Sequence, residues 1–290
     1  MEVLISNEKI QAKINTLGAE LVSLVDINKN RELMWQKNPK FWNKCSPVLF
    51  PFIGAIKGNQ YFYNNKKYDF NKKHGFAREK EFKIISHTDN QVEMLLSYDE
   101  ETLKIYPFKF KFYMKYIVKN NILQIEYKVV NLEDKELFFS LGAHPAFNTP
   151  LGENLTFSDY YILFENSESE EGYTLIDSLF CPENKKLYLE KDTLILDNEI
   201  FKNDIIIFKN INSKKLYLKN KKTNFTLGFK FDGFKHIGFW KKLNAEYICI
   251  EPWNGLPDYK LHNGKLEDKK YIEVLNPKEI YEKNIEIEIL

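Results

Sequence analysis

Apolar and polar residues alternate with a period of two along much of this chain, the pattern of half-buried strands. Phe108, Phe110, Phe112, Met114 and Tyr116 fall on one side, and Lys109, Lys111, Tyr113 and Lys115 on the other. After Asn120-Asn121 the alternation resumes, with Leu123, Ile125, Tyr127 and Val129 set against Gln124, Glu126 and Lys128. Asparagine tolerates positive φ, so this pair predicts an antiparallel hairpin. Tyr61–Tyr63 before Asn64-Asn65, Phe225–Phe231, and Ile285, Ile287 and Ile289 between glutamates read the same way. Helical spacing is scarce: Pro39–Asn43 suits a short turn, and Leu194–Phe201 has ambiguous spacing. No Pro- or Ser-rich linker divides the chain, and Glu165–Glu171 reads as an exposed acidic loop. The expected fold class is all-β. A single large antiparallel β-sandwich over residues 1–290 is predicted, with one sheet face packed and another lining a cleft.

Composition narrows the partners. The chain has 42 basic and 41 acidic residues for a net charge of +1. The two signs are interspersed, and without a one-sided basic stripe nucleic acid is not an expected partner. The cysteines Cys45, Cys181 and Cys249 are widely spaced and form no CxxC pair, which argues against a disulfide framework and a structural zinc site. Met1-Glu2-Val3-Leu4-Ile5 turns polar at once, unlike a signal peptide, and no stretch approaches about 18 apolar residues. A soluble cytoplasmic protein with free thiols and no membrane partner is expected.

Three distant segments hold the candidate chemistry: His74-Gly75-Phe76-Ala77-Arg78, Gly142-Ala143-His144-Pro145-Ala146-Phe147-Asn148, and Cys249-Ile250-Glu251-Pro252-Trp253. Pro145 restricts His144 to an extended backbone at a strand end, where it can face a cleft. Gly75 permits a turn or a close backbone approach beside His74. Glu251 ends an apolar run, and partial burial there raises a carboxyl pKa toward the range of a general base. Trp253 offers a flat face to a pyranose, and Arg78 offers donors to hydroxyls or an anion. Each residue also has a plain structural use: backbone-satisfied histidines, Arg78 paired with Glu79 or Glu81, Trp253 as packing. His87, His236 and His262 sit in polar or turn-like contexts and are assigned no role. No HxH, HxxxH or HExxH spacing predicts a metal site. GxGxxG, P-loop and GxSxG motifs are absent too, so no nucleotide cofactor or serine nucleophile is predicted. Side-chain acid–base work on a carbohydrate is the chemistry left.

With these residues in place, the chain resembles the aldose 1-epimerase (galactose mutarotase) family, in particular its bacterial LacX-like branch. The resemblance runs through nearly the whole length. It is carried by Ser46-Pro47-Val48-Leu49-Phe50-Pro51-Phe52-Ile53-Gly54, the segments at 74–78 and 142–148, Phe201–Phe208 with Asp204, and Ile248–Trp253. The resemblance implies a β-supersandwich and cofactor-free interconversion of the α and β anomers of a free sugar. By residue, Glu251 resembles the base at the C1 hydroxyl and His144 the acid at the ring oxygen. His74 resembles the second histidine that holds the sugar, and Asp204 the acidic residue that grips ring hydroxyls. One departure stands out: the place where relatives commonly carry an arginine is Ala55, leaving Lys57 or Arg78 to compensate. Two other readings share the scaffold, a mutarotase for hexose 6-phosphates and a non-catalytic carbohydrate-binding protein. A glycosidase fits less well, because only Glu251 has a convincing carboxylate setting and Asp204 is its sole possible partner.

Overall fold

A computed structural model describes all 290 residues. Every strand pair is antiparallel, apart from a few isolated bridges. The hairpin around Asn120 is the most regular element. Phe110–Lys119 pairs with Ile122–Asn131 from Phe110↔Asn131 to Lys119↔Ile122, with Asn120 at φ 54°. Its apolar side is buried at Phe110, Phe112, Met114, Tyr116 and Val118. Tyr63 pairs with Lys66 across Asn64 and Asn65, both at positive φ, as a two-residue hairpin turn requires.

Two large sheets dominate. A ten-stranded sheet places the Asn120 hairpin beside Ile280–Ile289 and Thr226–Lys230, and an eight-stranded sheet centres on His236–Trp240 and Tyr247–Asn254. A four-stranded sheet at the N-terminus runs from Glu2–Ser6 to Arg31–Glu32. Phe112, Ile125 and Ile287 from the first sheet meet Phe208, Ile237, Phe239, Ile248 and Ile250 from the second in one continuous apolar core. The eight-stranded sheet therefore has an inner face committed to packing and an outer face free for other work. No helix is long and apolar enough to cross a membrane.

Local readings fare unevenly. Residues 38–42 do turn, with the Phe41 and Trp42 N–H groups donating to Asn38 O. Leu194–Phe201 splits into the end of the strand Thr193–Ile195 and a 3₁₀ turn at Glu199–Phe201. The chain also holds one α-helix, Glu100–Ile105, that periodicity does not reveal. Six residues are too few to display an apolar stripe. Its signal is a cap: Asp99 Oδ1 accepts from Thr102 N–H at 2.6 Å, and Thr102 Oγ1 accepts from Asp99 N–H at 2.8 Å.

Candidate active site

The strand Tyr247–Asn254 is buried along its whole length. Ile248 and Ile250 enter the main core, so strand alternation turns Tyr247, Cys249, Glu251 and Trp253 to the outer face of the sheet. Glycines flank this face. Gly238 is the ladder partner of Glu251, and Gly142 that of Trp253. A Cβ on Gly142 would lie 2.7 Å from the Trp253 ring, and one on Gly238 3.3 Å from it. The indole thus spreads over two bare backbones, packed with Leu49, Ile205 and Ile207. This corrects the expectation that Trp253 presents a face to a sugar. Its faces are used in packing, and its N–H reaches toward Glu251 without completing a hydrogen bond.

His144 follows the short strand Leu141–Ala143 and precedes Ala146–Asn148, both paired with Tyr247–Asn254. Ile250 N–H donates to Pro145 O at 3.1 Å and Ala146 N–H to Cys45 O at 2.9 Å, fixing the turn that carries the imidazole. His144 Nε2 comes to 3.3 Å from Glu251 Oε1. The ring stacks on Trp42, with centroids 4.9 Å apart, and meets the edge of Trp240 at 5.7 Å. His74 lies edge-on to it, also at 5.7 Å.

His74 is held by a reciprocal pair of bonds. Its backbone N–H donates to Gly54 O at 2.8 Å, and its Nδ1 accepts from Gly54 N–H at 3.2 Å. A neutral imidazole accepting at Nδ1 carries its proton on Nε2, so His74 is a fixed donor. Both His74 and Gly75 have positive φ. Gly75 approaches protein, not ligand: a Cβ there would lie 2.0 Å from Phe50 O. The Ser46–Gly54 segment is thereby wedged between the two histidine segments, pairing through Leu49↔Gly142 on its other side.

These side chains line one compact cleft of about 160 Å³, smaller than the ~300–1,000 Å³ of sites for drug-sized ligands. Trp42, Lys73, His74, Arg78, His144, Asp204, Trp240, Glu251 and Trp253 all face it. Arg78 makes no ion pair with Glu79, which Lys72 takes instead. Asp204 stands at the rim at φ 71°, accepting from Trp240 Nε1–H at 2.7 Å. Lys57 is not there. Its backbone N–H is tied to Asp258 and its Nζ donates to His262 O at 2.9 Å, which directs the side chain to another surface. Ala55 does not line the cleft either, and its carbonyl accepts from Asp258 N–H. Sequence reasoning missed Trp42, Trp240 and Lys73. The one available signal was Trp240, which ends the alternation His236-Ile237-Gly238-Phe239-Trp240 on the side of Gly238. His236, expected in a polar setting, is instead fully buried against Tyr271 and away from the cleft.

Electrostatics single out the same residues. Burial lowers the His144 pKa to about 3, with Arg78 and Lys73 adding to the effect. Burial also holds His74 well below the ordinary imidazole range. Glu251 is pushed well above the usual carboxylate range by burial, with Lys73 opposing the shift. Between those limits the His144–Glu251 pair holds one proton, as acid and imidazole or as carboxylate and imidazolium. Nine buried side-chain polar atoms in the chain lack a hydrogen-bond partner. Five belong to this cleft: Arg78 Nε, His144 Nδ1, both Glu251 oxygens and Trp253 Nε1. Native proteins leave few such atoms unpaired, and a cluster of them marks a place that a polar ligand completes.

Residues 1–272 match the family model for aldose 1-epimerase. The plasmid-borne protein LacX of Lactococcus lactis subsp. lactis is 30% identical over 299 residues, covering all of both chains. The crystal structure of a galactose mutarotase related enzyme from Lactobacillus acidophilus superposes with a TM-score of 0.95 at 32% identity, covering 100% of this chain and 97% of that one. A galactose mutarotase-like protein from Lactobacillus casei gives 0.92 at 27% identity, with both chains fully covered.

Proposed function

The chain belongs to the aldose 1-epimerase family, and we propose that it interconverts the α and β anomers of an aldose by cofactor-free acid–base catalysis. Glu251 removes the C1 hydroxyl proton while His144 protonates the ring oxygen. The C1–O5 bond breaks, and the open-chain aldehyde forms. Rotation about C1–C2 presents the other carbonyl face. On reclosure the C5 hydroxyl returns its proton to His144, and Glu251 returns the first proton to the new C1 oxygen. The working state, carboxylate with imidazolium, needs the single proton that the pair already holds. His74 donates from Nε2 to the sugar, and Arg78 and Asp204 take its remaining hydroxyls. Trp42 and Trp240 supply the aromatic wall.

The observation carrying this reading is the close approach of His144 Nε2 and Glu251 Oε1 in a cleft that leaves five buried polar atoms without partners. General acid and base terms of about 10²–10⁴ each are enough for a reaction that already proceeds in water. Saturation-transfer NMR between anomeric protons tests it. Wild type accelerates exchange for at least one aldose in a panel; no acceleration for any of them, despite ligand-induced thermal stabilisation, assigns the cleft to binding alone.

A second reading rests on Lys73 and Arg78 facing the cleft together. Two cations suit a phosphorylated sugar. Under this reading glucose 6-phosphate outcompetes glucose, and its advantage shrinks as salt rises.

A further inference from the structure

Cys249 is the one nucleophilic side chain beside the proton-transfer pair that the proposed reaction does not use. It precedes Glu251 by two residues on the same strand, so both side chains leave the same face. One ligand atom each from His144, Cys249 and Glu251 all lie within 4.8 Å of one another, and all three residues are buried. Nitrogen, thiolate and carboxylate bind Zn²⁺ at roughly 2.0–2.3 Å, so an ion touching all three needs only small side-chain rotations. Both Glu251 oxygens are buried and receive no hydrogen bond, which leaves their lone pairs available. His144 and Glu251 line the cleft and Cys249 is fully buried behind them, so an ion held by the three keeps a fourth position for water on the cleft side.

We propose that His144, Cys249 and Glu251 form an inhibitory site for a thiophilic divalent cation of the Zn²⁺ or Cd²⁺ kind. Entry of the ion displaces the Cys249 thiol proton and the proton shared by His144 and Glu251. Two protons leave to solvent, three metal–ligand bonds form, and no electron moves. The ion occupies the lone pairs that would otherwise exchange protons with the sugar, so metal and sugar exclude one another. The inhibitory consequence rests on the sugar-site reading above; the binding itself does not.

Cd²⁺ is the probe, because thiolate ligation gives an ultraviolet charge-transfer band. The titration uses a Cys181→Ser background, which removes the half-exposed thiol and keeps Cys45, buried in the main core. One equivalent of Cd²⁺ is expected to raise the band. Cys249→Ala, with Cys249→Ser as the alternative should alanine disturb folding, abolishes it. Glu251→Gln weakens Cd²⁺ by more than the roughly 10–100-fold that losing an outer partner of a ligand costs. In rate measurements Zn²⁺ slows anomer exchange in competition with sugar, a chelator restores the rate, and Cys249→Ala retains its own metal-free rate. No band, or a band or inhibition that survives loss of Cys249, overturns the site. A band without any anomer exchange leaves the site standing and sinks the enzymatic reading instead.

Discussion

The Asn120 hairpin and the strand Tyr247–Asn254 are built by the same rule and put to opposite use. In both, alternate residues enter the core. On the hairpin the other face meets solvent, where Lys115 lies opposite Glu93 on one side and Glu126 on the other. Lys128 adds a loose ion pair to Glu282 at 3.8 Å. On Tyr247–Asn254 the second face is roofed by Trp42 and Trp240, and Glu251 is fully buried without a hydrogen-bond donor. Solvent and neighbouring side chains serve the first set of polar groups, Gln124 Nε2–H donating to Glu126 Oε1 at 2.8 Å. The second set is left for a ligand to satisfy. Polar groups at alternate positions therefore stabilise or react according to what covers them, not according to spacing.

The sharpest way to break this contrast is Glu251→Gln. Under the proposed mechanism loss of this carboxylate should cost anomer exchange about 10²–10⁴-fold, while the fold gains. Folded Glu251 has its pKa raised above the unfolded value of 4.5. Its contribution to stability is therefore present below pH 4.5 and lost as pH rises toward the folded value, so the buried carboxyl is a burden at neutral pH. Glutamine lifts that burden, and Tm should rise by a few degrees at pH 7 with little change at pH 4. A lower Tm at pH 7 would mean that Glu251 is satisfied by partners within the fold.

Phe112→Ala attacks the other region. Phe112 is fully buried and stacks on Phe50, with centroids 4.7 Å apart. Its loss should cost about 3–5 kcal/mol in a denaturant titration. Because Phe50 leads into the segment that holds His74 and pairs with Gly142, a rate lost along with stability would show that packing transmits to the cleft. An unchanged rate below the unfolding transition would show the two regions to be separable.

pH gives the next contrast. The proposed mechanism requires the pair to hold one proton. On the acid side it gains a second near the His144 value of about 3, and Glu251 then has no carboxylate to act as base. On the alkaline side it loses the only proton when pH passes the raised pKa of Glu251, and no acid remains for the ring oxygen. The rate should stay flat through mildly acidic and neutral pH and fall about tenfold per unit beyond the alkaline limb. A limb near the ordinary imidazole pKa of ~6.5 would show His144 to be solvated and would sink the burial argument.

How much was legible follows from the same contrast. The hairpins, the all-β class and the inward faces could be read, because period-two alternation and Asn turns are local. The segments holding His74, His144 and Glu251 could be found, since Gly or Pro stands beside each, whereas Asp204, with neither nearby, was reached only through the family resemblance. The roof could not. Trp42 reaches His144 through a turn at Asn38, and no spacing in the chain links residue 42 to residue 144. Lys57 misled for the complementary reason: three residues from Gly54 in sequence, it is pulled away by Asp258, about 200 positions downstream. Trp253 misled because Gly142 and Gly238 give its ring a bed, and they belong to other strands.

The smallest expected effect bears on the hairpin's solvent face. Lys115 and Glu126 are direct cross-strand partners without a closed ion pair, and water competes for both. Opposite charges so placed contribute roughly 0.2–1 kcal/mol, and exposed pairs tend to the lower end. A double-mutant cycle of Lys115→Ala and Glu126→Ala should give a coupling of at most about 0.5 kcal/mol, shrinking further as added salt screens it. Anomer exchange should remain unchanged in all three variants, since neither residue lines the cleft. A salt-resistant coupling above about 1 kcal/mol would mean that this face is covered in solution, and the distinction between a solvated and a roofed strand face would then need redrawing.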